Sequence, residues 1–354
     1  MREVLVVGHK TPLGRQSGMT LVEIMIALLI GAFLLGGVLQ IFINSRQTYR
    51  MQENLSRLQE NGRFAMEFIS RDLRMAGYLG CASLGAVTPA IDASPQNPNP
   101  NPAVNPFTNL NAIVGNNNIA NSWNANACSG THQCIANTDA VTIQYADSCG
   151  GYLTGNMASD NANIQIPANN TCNISQYDTL LLSDCSSADV FVATSASSGA
   201  GKQTIAHANN QNTSPKLSKV YGADAEIFVF RSYSYFIRTG ASGMPALWRL
   251  DNAKAVASSS NPMELLEDIE DFQILYGEDT NADGTANYYV PANSVVNVGN
   301  VISIRISVLV ATHDDNLASQ PLAYTFNGTT TTPVDRRLRR VFTSTLAVRN
   351  RLNS

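Results

Sequence analysis

Twenty consecutive residues, Ile24 to Ile43 (IMIALLIGAFLLGGVLQIFI), carry no charge and one strongly polar side chain, Gln40. No other feature restricts the fold as much. At about 1.5 Å per residue, a helix of this length spans the roughly 30 Å hydrocarbon core of a bilayer. A cleaved secretory signal has a shorter apolar stretch, and the small residues that mark its cut follow that stretch. Here the cut-like residues Gly14-Arg15-Gln16-Ser17-Gly18 come first and lead into Met19-Thr20-Leu21-Val22-Glu23. Glu23 is a lone carboxylate at the membrane edge, where a charge without a partner is costly. Arg2, Lys10 and Arg15 bias the preceding leader to the cytoplasmic side.

The chain has 354 residues, enough for about two domains and a substantial core. Charged residues make up 14%, against roughly 25% in ordinary soluble proteins. Lys and Arg total 23 and Asp and Glu 27, so the net charge is 23 − 27 = −4. That balance argues against nucleic acid as a partner, because phosphate neutralisation needs a basic excess. A hydrophobic content of 44% and a mean hydropathy of −0.07 exclude both a polytopic transporter and a wholly disordered chain.

Beyond the apolar run, Met51, Leu55, Leu58, Gly62, Ala65, Met66, Ile69, Leu73 and Ala76 recur at steps of three and four. This stripe predicts that the helix continues as an amphipathic half until Gly77. Arg50, Glu53, Arg57, Glu60, Arg63, Glu67 and Arg71 form its solvated face. From Met75 through Gly201 there is no Lys or Arg, and Asn, Ser, Pro, Ala and Gly dominate. Strand-like islands at 140–145, 179–182 and 189–193 interrupt that stretch, and PQNPNPNP at 95–102 reads as an extended loop. Further strands are expected at 226–230, 232–237, 246–250, 272–276, 301–310 and 340–348, with a short helix over Met263–Ile269 after Pro262. In 301–310 the residues Val301, Ile302, Ile304, Ile306, Val308 and Val310 are expected to form one apolar face on the helix. The fold class is α+β: one long helix packed on an antiparallel sheet. The expected segments are 1–18, a leader; 19–44, the membrane half of the helix; 45–78, its amphipathic half; 79–220, a loop-and-strand region with six cysteines; and 221–354, a β-rich remainder.

Gly18 followed by an apolar residue, Thr20-Leu21-Val22-Glu23 and a long apolar helix resembles the type IV prepilin signal. The leader of 18 residues is longer than many, and Met19 stands where Phe is usual. The resemblance implies cleavage after Gly18 by a prepilin peptidase and N-methylation of the new terminus, Met19. It also implies that Glu23 pairs with the N-terminal ammonium of a neighbouring subunit in a fibre. Three later stretches are similar to PilW-type minor pilins: Arg74-Met75-Ala76-Gly77-Tyr78 with Gly80-Cys81, Ile269–Gly277 with the Asp-rich loop behind it, and Arg339-Arg340-Val341-Phe342 through Val348-Arg349-Asn350-Arg351. That likeness implies a pilin-like lollipop, anchored by a single pass in the inner membrane with a periplasmic head and later built into the pilus at the cell surface. Its partners would be other minor pilins and the major pilin, contacted through the N-terminal helix. Its role would be to prime pilus assembly from a position below the tip-most subunit. A type II secretion minor pseudopilin and a tip adhesin, with 82–220 as the binding face, are the alternative readings.

The six cysteines, Cys81, Cys128, Cys134, Cys149, Cys172 and Cys185, all follow the apolar segment, and an even count in an exported domain reads as a disulfide framework. Cys128 and Cys134 enclose a short loop suited to local pairing, which leaves Cys172 with Cys185 and Cys81 with Cys149. There is no CxxC pair for zinc, and His132 is isolated. His9, His132, His207 and His313 are scattered, and no nucleophile elbow, zinc-protease or phosphate-loop motif appears, so the chain does not read as an enzyme. Arg336-Arg337-Leu338-Arg339-Arg340 reads as an edge-strand charge run that discourages unwanted pairing. Asp279, Asn281, Asp283, Thr285 and Asn287, with Gly284 at the sixth position, match the opening of a calcium loop. The twelfth position is Val290 where a bidentate Glu is expected. The segment therefore admits two readings, a weak Ca²⁺ site or an Asp/Asn/Gly-rich hairpin turn that needs no metal.

Overall fold

A computed structural model describes residues 18–80, 82–83, 90–91, 112–124, 127–128, 132–252, 261–348 and 350. The expected loop at 95–102 and the leader up to Ser17 lie outside the described residues. The chain divides into two compact units, one ending at Glu53 and the other beginning at Asn54.

Within the first unit the described residues form a helix that begins at Leu21. An apolar run of this kind can satisfy its backbone groups in lipid only by bonding within the segment, and a helix does so without an edge. Its large side chains have no internal partner to bury against: Phe33 is 77% exposed and Leu28 69%.

In the second unit the same helix runs from Asn54 to Met75 and buries Leu58, Gly62, Ala65, Ile69 and Leu73 of the expected stripe, with Leu55 and Met66 half-buried and the polar Asn54 and Asp72 buried beside them. Gly77 stops it. Its φ of +76° is left-handed, and its N–H donates to the Gln144 carbonyl at 2.9 Å, while the Asn350 amide caps the Ala76 carbonyl at 3.1 Å.

Two sheets organise this unit. The first is antiparallel, in the order Tyr288–Val290, Ile269–Glu278, Val301–Ala311, Arg339–Ala347. Phe272, Ile274, Ile304, Ile306, Val308 and Val310 join Leu58, Ala65, Ile69 and Leu73 in one core. Ile302 is half-buried although alternation puts it on the face of Ile304 to Val310, because the ladder is interrupted there: Ser303 faces Gly277 and Val301 faces Glu278, a bulge that leaves Ile302 unpaired with Ile269–Glu278 and turns Val301 into the core. The larger sheet is built on Glu226–Thr239, which pairs antiparallel with Ala140–Tyr152, Thr179–Asp184 and Pro245–Asp251. Ser187–Val192 continues it, and Ala90–Ile91 adds a short parallel edge.

One expected element has the wrong type. Met263–Glu267 is a strand, not the start of a helix. It pairs with Pro245–Asp251, and Asp268, at φ +61°, turns the chain straight into Ile269–Glu278. Five residues are too few to offset the cost of nucleating a helix, whereas an existing strand edge offers a ladder at once.

The joint between helix and larger sheet is polar. Asp72 is buried and accepts hydrogen bonds from the Tyr145 hydroxyl at 3.0 Å and the Tyr235 hydroxyl at 2.5 Å. Burial is the first cause that pushes both phenols up, and the neighbouring carboxylate adds to it. Both tyrosines therefore stay neutral donors, as the pairing requires.

Candidate assembly interface

The first helical turn is closed by its own side chains. The Glu23 carboxylate accepts from the Thr20 backbone N–H at 2.9 Å and from the Thr20 hydroxyl at 3.0 Å. In return the Glu23 N–H donates to the Thr20 hydroxyl oxygen at 3.3 Å. This is a capping box, and it places a carboxylate at the positive end of the helix dipole. Both bonds to the carboxylate fall on Oε2, and no hydrogen bond to Oε1 is present among the described residues. Gly18 and Met19 lie just before the helix, with Met19 73% exposed. The sequence thus brings the residues of the processing motif, the carboxylate and a continuous exposed apolar surface onto one short stretch of chain. Chemically that stretch can dissolve in lipid or pack against other apolar helices, and Oε1 can accept a cation.

The remaining predicted residues are dispersed over the second unit. Cys128 pairs with Cys134 and Cys149 with Cys172, with Cα–Cα distances of 5.1 and 4.7 Å. The second pair replaces the expected Cys172–Cys185 and Cys81–Cys149 pairings. The Thr171 N–H and hydroxyl both donate to the Cys149 carbonyl, so the loop carrying Cys172 is held against the end of Ala140–Tyr152 whatever its separation in sequence. Cys185 is also disulfide-bonded, and Cys81 lies outside the described residues.

At 279–287 the oxygen side chains are engaged within the loop. The Asp279 carboxylate accepts from the N–H groups of Asn281, Asp283 and Gly284, the last at 2.8 Å. Asp283 accepts from the Thr285 N–H and hydroxyl, and Asn287 Oδ1 from the Thr280 N–H and hydroxyl. Gly284, at φ +84°, supplies the left-handed residue that reverses the chain. These bonds account for the composition of the loop as a hairpin turn. At the other end of Ile269–Glu278, one arginine of the basic run is paired: Arg339 forks onto Glu270 at 2.6 and 2.8 Å and onto Asp335 at 2.7 and 2.8 Å.

Sequence reasoning missed one grouping. His313 lies beside Glu267 and Asp268, 45 residues away from the latter, because strand pairing brings Ile269 opposite Val310. Nothing local in the sequence marks it.

Comparison with known families agrees with both ends of the chain. Residues 234–350 match the family described as type IV pilus-assembly protein W, and residues 13–39 match the prokaryotic N-terminal methylation motif. No curated protein and no solved structure matches. Over the methylation signal with the apolar helix behind it, and over the pilus-assembly region at the other end, this chain is similar to type IV pilus-related minor pilins of the PilW type.

Proposed function

We propose that this chain primes type IV pilus assembly together with other minor pilins and stays near the pilus tip, below the tip-most subunit. The observation that carries the reading is the conjunction of a methylation signal over 13–39 and a pilus-assembly region over 234–350 on one chain. In this reading residues 1–18 are a leader that a prepilin peptidase removes after Gly18, and Met19 becomes the methylated terminus. Residues 19–44 form the membrane-resident and later fibre-core half of the helix, 45–78 its amphipathic half, and 79–220 with 221–354 the exported head. In the bilayer Thr20 satisfies the Glu23 carboxylate on Oε2, so a stored subunit needs no partner. In the fibre Oε1 receives the ammonium of a neighbour's Met19. A buried charge pair fixes register, because a slipped helix leaves both charges unpaired. Possession of Glu23 favours a place below the tip, since a subunit that caps the fibre has no neighbour to satisfy there.

The test is a deletion of the gene scored for surface fibres, for secretion and for adhesion of the fibres that form. Loss of fibres that is restored by the wild-type gene supports priming. Normal fibres with lost adhesion give the role to a binding head, and normal fibres with lost protein secretion give it to a type II system.

A further inference from the structure

We infer that Glu267, Asp268 and His313 form a binding site for a divalent transition-metal ion of borderline softness, of which zinc is the type. One donor atom from each residue lies within 4.8 Å of the other two. His313 Nδ1 is 3.2 Å from both Asp268 oxygens and 3.9 Å from Glu267 Oε2. Equal distances to both oxygens are poor geometry for a single directed hydrogen bond. They are the spacing of neighbouring ligands on a metal, since two donors about 2.1 Å from an ion and about 100° apart lie about 3.2 Å from each other. The longer Glu267 distance belongs to the most exposed partner: its side chain is 53% exposed, while that of Asp268 is 6% and that of His313 39%. One buried carboxylate, one adjustable carboxylate and one accessible imidazole leave the fourth tetrahedral position open to water. An imidazole nitrogen among the donors selects zinc, cobalt, nickel or copper over calcium and magnesium.

The backbone that carries the three residues is held by hydrogen bonds. The Ala311 N–H donates to the Asp268 carbonyl at 3.0 Å, which fixes the strand ends that carry the ligands. The Asn61 amide holds the Glu267 carbonyl at 3.1 Å, and Asn54 exchanges two hydrogen bonds with Asp314, next to His313. An ion here ties the turn after Glu267 to the turn after Ala311, and through the two asparagines it ties both to the head half of the helix. The role is structural, a cross-link of the kind that small exported domains gain from metals and disulfides.

The test uses the full mature chain in detergent, free of any tag, unreduced and stripped with a chelator. Zinc titrated by calorimetry should bind at about one ion per chain and raise the melting temperature, and cobalt should give a visible ligand-field spectrum. His313→Ala and Glu267→Gln should each weaken zinc binding by at least about tenfold and abolish the thermal shift. The Asp279→Ala, Asp283→Ala double variant should retain both, which separates this site from the 279–287 loop. Glu267→Gln alters an exposed side chain, so it remains informative if His313→Ala folds poorly. Absence of zinc binding in the wild type, or undiminished binding in both single variants, overturns the site.

Discussion

Under the proposed assembly role, the Glu23 carboxylate serves two states. Its Oε2 is taken by Thr20, and the helix dipole favours the charge, so the residue is tolerable in the isolated subunit. Glu23→Ala should therefore leave peptidase cleavage and membrane insertion unchanged but sharply reduce fibre incorporation. Breaking a buried pair costs on the order of 3–5 kcal/mol. Immunoblots of cell-bound and sheared-fibre fractions would measure this, and normal incorporation would remove the pairing. Asp271 poses the opposite problem. Burial pushes its carboxyl up to about 6, and the Gln273 amide and Phe272 N–H that donate to Oδ1 only partly offset that. The raised value means that the folded state holds its proton longer than the unfolded chain, whose carboxyl titrates near 3.9. Stability is then fully present below about pH 4 and falls as pH rises through 6. Asp271→Asn keeps the Oδ1 acceptor without the charge. It should raise stability at pH 7 by about 1 kcal/mol, discounted for partial solvent access, and flatten melting temperature between pH 4 and 6.

At the level of elements, the head half of the helix meets its sheet through a missing side chain. A Cβ on Gly62 would stand 2.2 Å from Cε2 of Phe342 on the edge strand Arg339–Ala347. Ala is worth about 1 kcal/mol over Gly in a helix, while overpacking costs about 1–3 kcal/mol. Gly62→Ala should accordingly destabilise the protein, and Phe342→Leu in the same chain should recover part of the loss. Denaturant midpoints of the two variants decide it, and a gain in the single variant would mean that the ring moves freely. The 279–287 hairpin gives a second prediction. Asp279 organises three N–H groups, so Asp279→Ala should lower the melting temperature in calcium-free buffer as well as in calcium. A loss seen only with calcium present would instead make the carboxylate a metal ligand.

For the molecule as a whole, the proposed leader cleavage and the observed disulfides set the expected covalent form. Intact mass should correspond to a chain beginning at Met19 with one added methyl group. Alkylation of unreduced, denatured protein should label none of the six cysteines, since no free cysteine occurs among the described residues. A chain still starting at Met1, or label on two or more cysteines, would contradict this. The framework matters because much of the loop-rich region lacks charge and long apolar runs. Each closed loop removes conformational freedom from the unfolded chain that burial alone would have to offset.

The long helix through the apolar run and its stop at Gly77 were legible in the sequence, because each depends on neighbours three or four residues away. The strands expected at 140–145 and 301–310 were legible for a similar reason, since alternation and β-branching are local properties, whereas the two strands expected at 226–230 and 232–237 are one, Glu226–Thr239. Met263–Glu267 was misread because its propensity is ambiguous and only the edge of Pro245–Asp251 selects a strand. The Cys149–Cys172 bond, the hydroxyls of Tyr145 and Tyr235 on Asp72, and the meeting of His313 with Glu267 and Asp268 had no signature along the chain. Sequence alone determined an apolar helix long enough to cross a membrane and the methylation motif that leads into it, because hydropathy and motif chemistry act over one or two turns. Which polar groups meet inside the head was decided only by strand register, which joins residues separated by tens to hundreds of positions.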